Sequence, residues 1–234
     1  MTNARKEAHE STSNQQILAE RPESVYLSLG SNLGDREANL REAIKRITAL
    51  GLEITNASSI YETEPVGYKD QPWFLNQAIE VRVAPGLPLH DVAEVAAGLE
   101  ASWDKEPGIT SYFWICRLLR EMLAIEGAMG RDRTIPGGPR TIDIDILIYG
   151  EMAGRFAETL GDPDVPGIAR AGAPFLTLPH PRMHERRFVI QPLCEIAPEI
   201  VHPVLGKTCR EMLASLDDAS TVSVHDKSAG LISS

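Results

Sequence analysis

Two aspartates, Asp143 and Asp145, stand two positions apart in "TIDIDILIY" (141–149), a run otherwise apolar enough to form a buried strand. Strand alternation puts Thr141, Asp143, Asp145, Leu147 and Tyr149 on one face and Ile142, Ile144, Ile146 and Ile148 on the other. Both carboxylates therefore point the same way, with Cα atoms about 7 Å apart. Unpaired carboxylates on a largely buried strand are costly. A divalent cation removes that cost, and an oxygen-only pair suits Mg²⁺ that also carries phosphates and water. An exposed edge, or aspartates paired with arginine for structural reasons, would fit the same pattern.

Arginines are the natural complement to Mg²⁺ and phosphate. "GRDRTIPGGPR" supplies Arg131, Arg133 and Arg140 just before the acidic pair, and "LPHPRMHERRF" supplies His180, Arg182, His184, Arg186 and Arg187. Guanidinium groups match phosphate oxygens bidentately. A solvated basic face is the commoner meaning of such clusters. Proximity to Asp143 and Asp145 in one case, and two prolines fixing the loop in the other, favour phosphate binding. His180 and His184 make no zinc motif, since H-E-x-x-H is absent and the spacing suggests no third ligand. "GKT" at 206–208 is no P-loop, because Val201 stands where a glycine is required, and "GSNLG" does not complete G-x-G-x-x-G. Any nucleotide is therefore bound in another way. Trp73, Phe74 and Asn76, beside a turn-rich loop, offer a stacking ring and an amide for the edge of a flat heteroaromatic ligand. Core packing and strand capping are their ordinary roles.

These residues need elements to position them. Val25, Leu27 and Leu29 alternate with polar neighbours and predict a strand ending at Gly30. Asp35 is the expected N-cap of a helix lined by Leu40, Ile44 and Ile47 and ending near Gly51. "LEITNASSIYET" and "NQAIEVRV" (76–83) read as the second and third strands, separated by the loop "EPVGYKDQPW". Leu118, Met122, Ile125 and Met129 keep helical spacing, and Thr141–Tyr149 is the fourth strand. A short helix is expected around Phe188–Cys194. A last one starts at Thr208, with Met212 and Leu216 inside. The order β-α-β-β-α-β predicts an α/β (α+β) protein with a ferredoxin-like antiparallel sheet in a single domain. Two stretches fit poorly. Residues 86–116 form a long connection with an amphipathic segment (Leu89, Val92, Ala96, Leu99) and the patch "SYFWIC". Residues 151–175 read as an irregular loop rich in Gly, Ala and Pro.

The bulk properties bound the alternatives. The chain has 234 residues, 43% of them hydrophobic and 24% charged, with a net charge of −10. That balance argues against duplex DNA or an anionic membrane as a partner, though not against a small anion held by local arginines. Three cysteines, Cys116, Cys194 and Cys209, form no C-x-x-C pair and read as reduced thiols. "MTNARKEAHESTSNQQ" resembles no signal peptide, and no apolar run approaches the roughly 20 residues of a membrane helix. A cytoplasmic location is expected. Residues 1–23 lack apolar periodicity and read as a disordered tail, and 218–234 as a flexible one.

Taken together, "YLSLGSNLGD", "SSIYETEPVGYKDQPWFLNQA", "IEGAMGRDR", "GPRTIDIDILIYG" and "LPHPRMHERRFVIQPLCEIAPEIVHP" resemble the 6-hydroxymethyl-7,8-dihydropterin pyrophosphokinase family of folate biosynthesis. The segments span 26–203 in the family's order. The resemblance implies a ferredoxin-like pyrophosphokinase domain over 24–217, moving pyrophosphate from ATP to the pterin's hydroxymethyl oxygen and leaving AMP. It implies that Asp143 and Asp145 hold two Mg²⁺ ions, with Arg131 and Arg133 as catalytic partners. It further implies that Phe74 and Phe188 sandwich the pterin ring, that Thr63, Val66 and Asn76 meet its edge, and that Glu126, Arg140, His180 and Arg186 serve ATP. Catalysis of this kind is mainly positioning and charge stabilisation.

The chain also departs from the family's pattern. Pro136 and Gly137 stand where many members have Arg-Trp, so a phosphate-side arginine and an aromatic are absent there. Altered loop closure, rather than loss of chemistry, is the expected consequence. The lengthened 86–116 connection carries aromatics consistent with contact to another copy or to a pathway enzyme. The rival readings are another Mg²⁺-dependent phosphoryl or nucleotidyl transferase, a ferredoxin-like RNA-binding module, and a non-catalytic descendant. The net charge and the lack of aromatic-rich strand motifs weigh against the RNA module.

Overall fold

The computed structural model describes residues 24–83, 107–131, 137–157 and 175–225. The tail 1–23, the segment around Leu89 and Leu99, Arg133, Pro136, residues 158–174 and the last nine residues lie outside them. So do the side chains of Tyr112, Phe113 and Trp114.

A ten-residue strand, β4 (Phe74–Val83), organises the sheet. On one side it pairs along its whole length with β1 (Ser24–Ser31). On the other it is long enough to hold two short strands in succession, β2 (Leu52–Ala57) and β3 (Tyr61–Thr63). "LEITNASSIYET" is thus two strands rather than one. The break falls at Ser58, whose hydroxyl accepts from Ala78 N at 3.0 Å while its carbonyl accepts from Gln77 Nε2 at 2.8 Å. A side-chain oxygen occupies a position the ladder would otherwise fill. Strand β5 (Asp143–Tyr149) flanks β1, and β8 (Val222–Val224) flanks β3, giving the antiparallel order β5-β1-β4-β3-β8 with β2 beside β3. Part of the expected C-terminal tail therefore belongs to the sheet.

Helix α1 (Arg36–Ala49) starts as its sequence dictates, Asp35 accepting from Ala38 N at 3.0 Å. Helix α2 spans Pro107–Ala128, so it begins inside the stretch taken for a connection, and Ile115 and Cys116 are buried. Both helices cover one face of the sheet. Val25, Leu27 and Leu29 pack there against Leu40, Ala43 and Ile47 of α1 and Leu118 and Met122 of α2.

The other face is covered by α3 (Arg187–Ile196) and α4 (Cys209–Ala214), where Val189, Ile190, Leu193 and Met212 meet Ala78 and Leu147. Thr208 and Glu211 cap α4 reciprocally. That helix stops at Ala214, so Leu216 lies beyond it. Residues Gly154–Ala157 (β6) and Phe175–Leu178 (β7) form a two-stranded ribbon, giving ordered ends to a segment expected to be irregular.

The expected alternation in β5 holds as far as Leu147 and fails at Ile148. Leu27 pairs with Ile146 and Tyr26 with Ile148, leaving Leu147 as the extra residue of a β-bulge. Ile142, Ile144 and Ile146 join the first core, but Leu147 and Ile148 both join the second, and Tyr149 returns to the first. Asp143 and Asp145 precede the bulge and keep their shared face. Among the described residues, no helix is long and apolar enough to cross a membrane.

Candidate active site

The residues of β1, β4 and β5 that face α3 converge on a cavity of about 500 Å³. Sheet register does the assembling. Gly30 pairs with Asn76 on one side and Asp143 on the other, and Ser28 pairs with Ala78 and Asp145. Gly30 is the seam, because a Cβ there would stand 2.8 Å from Asn76 Oδ1 and 3.9 Å from Asp143 Cβ.

On the acidic side, Asp143 is held by two arginines. Its Oδ1 meets Arg131 Nη1, and its Oδ2 lies 3.0 Å from Arg140 Nη1. Arg131 also pairs with Glu126, which is 2% exposed and accepts from Ile144 N at 2.7 Å. Asp145 is less well compensated. Burial, reinforced by neighbouring Asp143, pushes its carboxyl up to about 7. Its near neighbour, His180 Nε2, is 4.0 Å away. Burial, reinforced by Arg186, pushes His180 down to about 4. His180 is thus neutral at pH 7 and supplies no countercharge. Its Nδ1 accepts from Arg182 N at 3.3 Å, which leaves the proton on Nε2.

The other half of the cavity is aromatic and amide-edged. Phe74 and Phe188 both line it. Arg140 lies 5.1 Å from the Phe74 ring centroid, and Arg186 lies 5.7 Å from that of Phe188. Asn76 Nδ2 donates to Thr63 Oγ1 at 2.7 Å in a buried pair, which fixes the amide and turns its carbonyl towards Gly30. Val66, 46% exposed, stands at the rim.

Asn32 holds the loops of both halves together. It accepts from Arg140 N at 2.8 Å and donates from Nδ2 to Gln71 Oε1 and the Pro72 carbonyl, each at 3.0 Å. Gln71 Nε2 donates to the Gly137 carbonyl at 3.0 Å. Gly137 has φ +69°, a conformation that L side chains rarely adopt, so a glycine suits the place where the resemblance expects tryptophan.

The cavity thus gathers Asp143, Asp145, Arg131, Arg140, His180, Arg186, Thr63, Val66, Phe74, Asn76 and Phe188. Glu126 sits behind its wall and reaches the site through Arg131. Trp73 is 42% exposed and engages Arg36 through its carbonyl, while His184 stands edge-on to His202 with centroids 5.8 Å apart. Neither is among the cavity's lining residues. Sequence reasoning missed Ser28, Gly30, Glu64 and Gln71, which do line it, as does Arg182 of the basic cluster. Ser28 and Gly30 alternate with the apolar face of "YLSLG", and that signal could have found them. The contribution of Gln71 depends on loop geometry and left no such trace.

Fold and site together define a mixed α/β protein in which a carboxylate–arginine cluster and a pair of phenylalanines with a buried amide share one cavity. The chain matches the 7,8-dihydro-6-hydroxymethylpterin-pyrophosphokinase (HPPK) family over residues 26–117 and 108–198, and it belongs to that family. It is 36% identical over 194 residues to the 2-amino-4-hydroxy-6-hydroxymethyldihydropteridine pyrophosphokinase of Methylorubrum extorquens, covering 82% of this chain and 93% of that protein. To the protein of the same name from Bacillus subtilis it is 34% identical over 177 residues, covering 75% and 79%. It is also 33% identical to the folic acid synthesis protein fol1 of Pneumocystis carinii, covering 79% of this chain but 19% of that protein. The chain thus spans about a fifth of the length of that relative and of its Schizosaccharomyces pombe counterpart. The fold resembles that of a solved HPPK-DHPS in complex with substrates, with a TM-score of 0.53 at 15% identity, over 83% of this chain and 43% of that one.

Proposed function

We propose that the chain transfers pyrophosphate from ATP to the hydroxymethyl oxygen of 6-hydroxymethyl-7,8-dihydropterin. That oxygen would attack the β-phosphorus, the bond to the α-phosphate oxygen would break, AMP would leave, and the hydroxyl proton would be lost to solvent. The observation that carries this reading is the meeting, at Gly30, of a carboxylate–arginine half and an aromatic, amide-edged half in one cavity. The names of the bacterial relatives support it.

In this reading Phe74 and Phe188 stack on the ring, and Thr63, Val66 and Asn76 meet its edge. Arg140, His180 and Arg186 bind the phosphates, with neutral His180 donating a hydrogen bond rather than charge. Arg131 is fixed by Glu126 and Asp143 and adds charge at the same rim, and Arg133, two positions on in the sequence, is its proposed catalytic partner. Asp143 and Asp145 offer oxygen donors that fit Mg²⁺. The carboxyl of Asp145 is raised by burial and by neighbouring Asp143 despite Arg186 and Arg140, and a bound cation would lower it. Among the described residues no group of three or more acidic, His or Cys side chains could hold a metal, so phosphates and water would complete the shell. Bound there, two Mg²⁺ ions would neutralise charge on the phosphates. The strand order, with α1 and α2 on one face, supports a ferredoxin-like βαββαβ core.

The test is to incubate the protein with ATP, Mg²⁺ and the reduced hydroxymethylpterin and identify the nucleotide product. AMP is expected. ADP would instead indicate an ordinary kinase, and pterin binding without turnover a non-catalytic descendant. Gly30→Ala provides a further check. Its Cβ must displace Asn76, so pterin affinity should fall at least tenfold and stability by about 1–3 kcal/mol. Fluorescence titration and urea unfolding would read the two effects, and unchanged pterin affinity would remove Gly30 from the site.

A further inference from the structure

Helix α3 starts with an arginine where helices usually carry Ser, Thr or Asp. Arg186 occupies the N-cap without making a side-chain cap, and its guanidinium lines the cavity instead. The amide of Arg187 still needs an acceptor. It finds one far along the chain, donating to Asp218 Oδ2 at 2.7 Å, while Arg187 Nε donates to the Asp218 carbonyl at 2.7 Å. Asp218 Oδ1 accepts in turn from Ser220 N at 2.9 Å, which fixes the turn. A carboxylate at this end of a ten-residue helix is also favoured by the helix dipole. The remote cap leaves Arg186 free to face the cavity.

The same short segment then engages the strand-side wall. Thr221 N donates to Glu64 Oε1 at 3.1 Å, and Glu64 N donates to the Thr221 carbonyl at 3.2 Å. Strand β8 follows at once, with Val222 opposite Thr63, and His225 N donates to the Ile60 carbonyl at 2.8 Å. Thr63 and Glu64 line the cavity, as do Arg186 and Phe188 from α3, whereas Asp218 does not.

We propose that Asp218 is a positioning residue for the aromatic half of the site. Segment 218–221 ties the helix carrying Arg186 and Phe188 to the strand end carrying Thr63 and Glu64, and so sets the width of the slot between them. The inference rests on the pyrophosphokinase reading for the identity of the ring that fills the slot. The acidic pair is carried by β5, at the opposite edge of the sheet from β8. Arg186 moves with this helix, but Arg140, His180 and the β5 carboxylates do not, so loosening the segment acts on the ring more than on the nucleotide.

The test compares the full chain with Asp218→Ala, Asp218→Asn and Thr221→Pro. Affinities are measured separately for oxidised 6-hydroxymethylpterin, which is fluorescent, and for a non-hydrolysable ATP analogue with Mg²⁺. Asp218→Ala should weaken pterin binding at least tenfold and analogue binding less than threefold. Asp218→Asn keeps an oxygen for the Arg187 amide and should stay within threefold of the parent. Thr221→Pro removes the donor to Glu64 and should reproduce the pterin-selective loss. If Asp218→Ala does not fold, Thr221→Pro decides by the same criterion. Pterin affinity within twofold of the parent, or equal losses for both ligands, would overturn the inference. A parent protein that does not bind the pterin would overturn the functional reading and this inference with it. A parent that binds alongside unaffected variants would overturn this inference alone.

Discussion

Replacing Asp145 by Asn is expected to abolish the proposed pyrophosphate transfer and, at the same time, to make the metal-free protein more stable at pH 8. Activity should fall at least a thousandfold, because the variant loses the carboxylate best placed to take a cation and its charge stabilisation with it. The stability gain follows from the raised carboxyl of the parent. The folded protein holds the Asp145 proton up to about pH 7, whereas an unfolded chain releases it near pH 4. Below pH 4 both states are protonated and the residue makes no difference. Between 4 and 7 the folded state binds more protons, so stability falls as pH rises, and above 7 the full cost is present. The Asp145 side chain is 36% exposed, and solvent screening reduces that cost to about 1–2 kcal/mol. Thermal melts without metal should therefore nearly coincide at pH 4 and separate by a few degrees at pH 8, the variant melting higher. Adding Mg²⁺ should stabilise the parent and not the variant. Equal melting temperatures at pH 8 would show that Asp145 bears no burial cost, and near-normal activity would remove it from the metal site.

Arg131→Met should be the most damaging single change to the fold in this region. Arg131 stands between Glu126, which is almost fully buried, and Asp143. Its removal leaves two carboxylates without their shared cation, which costs about 3–5 kcal/mol for a buried pair. Much of that loss belongs to Glu126 rather than to the missing contact. Adding Glu126→Gln to Arg131→Met should therefore recover about half of the stability while leaving activity low. Urea unfolding of the parent, both single variants and the double variant would close the cycle. Additive effects would show that Glu126 and Arg131 are not coupled.

The sequence made the chemistry more legible than the boundaries. Asp143 and Asp145 were readable because period-2 alternation is local, and residues 141–146 obey it. The same rule failed at Ile148 because a bulge is set by pairing with β1, which the strand's own residues do not announce. Helix α2 was read as starting near Leu118 since its first turns lack the polar face of an amphipathic helix, with "SYFWIC" supplying apolar residues in succession. Strand β8 was missed for the opposite reason. It has three residues, largely exposed, and exists because β3 offers it an edge. In the site, residues singled out by their type, such as Phe74, Asn76, Arg131, Arg140 and Arg186, do line the cavity. The alternation of "YLSLG" marks the face of Gly30, but not its importance, which lies in what a missing Cβ allows across two strand pairings.

The bulge in β5 also bears on how this strand tolerates change. It divides seven residues into a stretch ending at Ile146, which presents the two carboxylates, and a stretch from Leu147, which anchors α3 through the second core. The extra residue acts as a phase joint between the two. Substitutions beyond it can repack the helix without turning the carboxylates. Deleting Leu147 would remove the joint and leave plain alternation, with Ile146 and Tyr149 still towards α1 and α2 and Ile148 still towards α3, so the strand would keep both faces and lose only the Leu147 contribution to the second core.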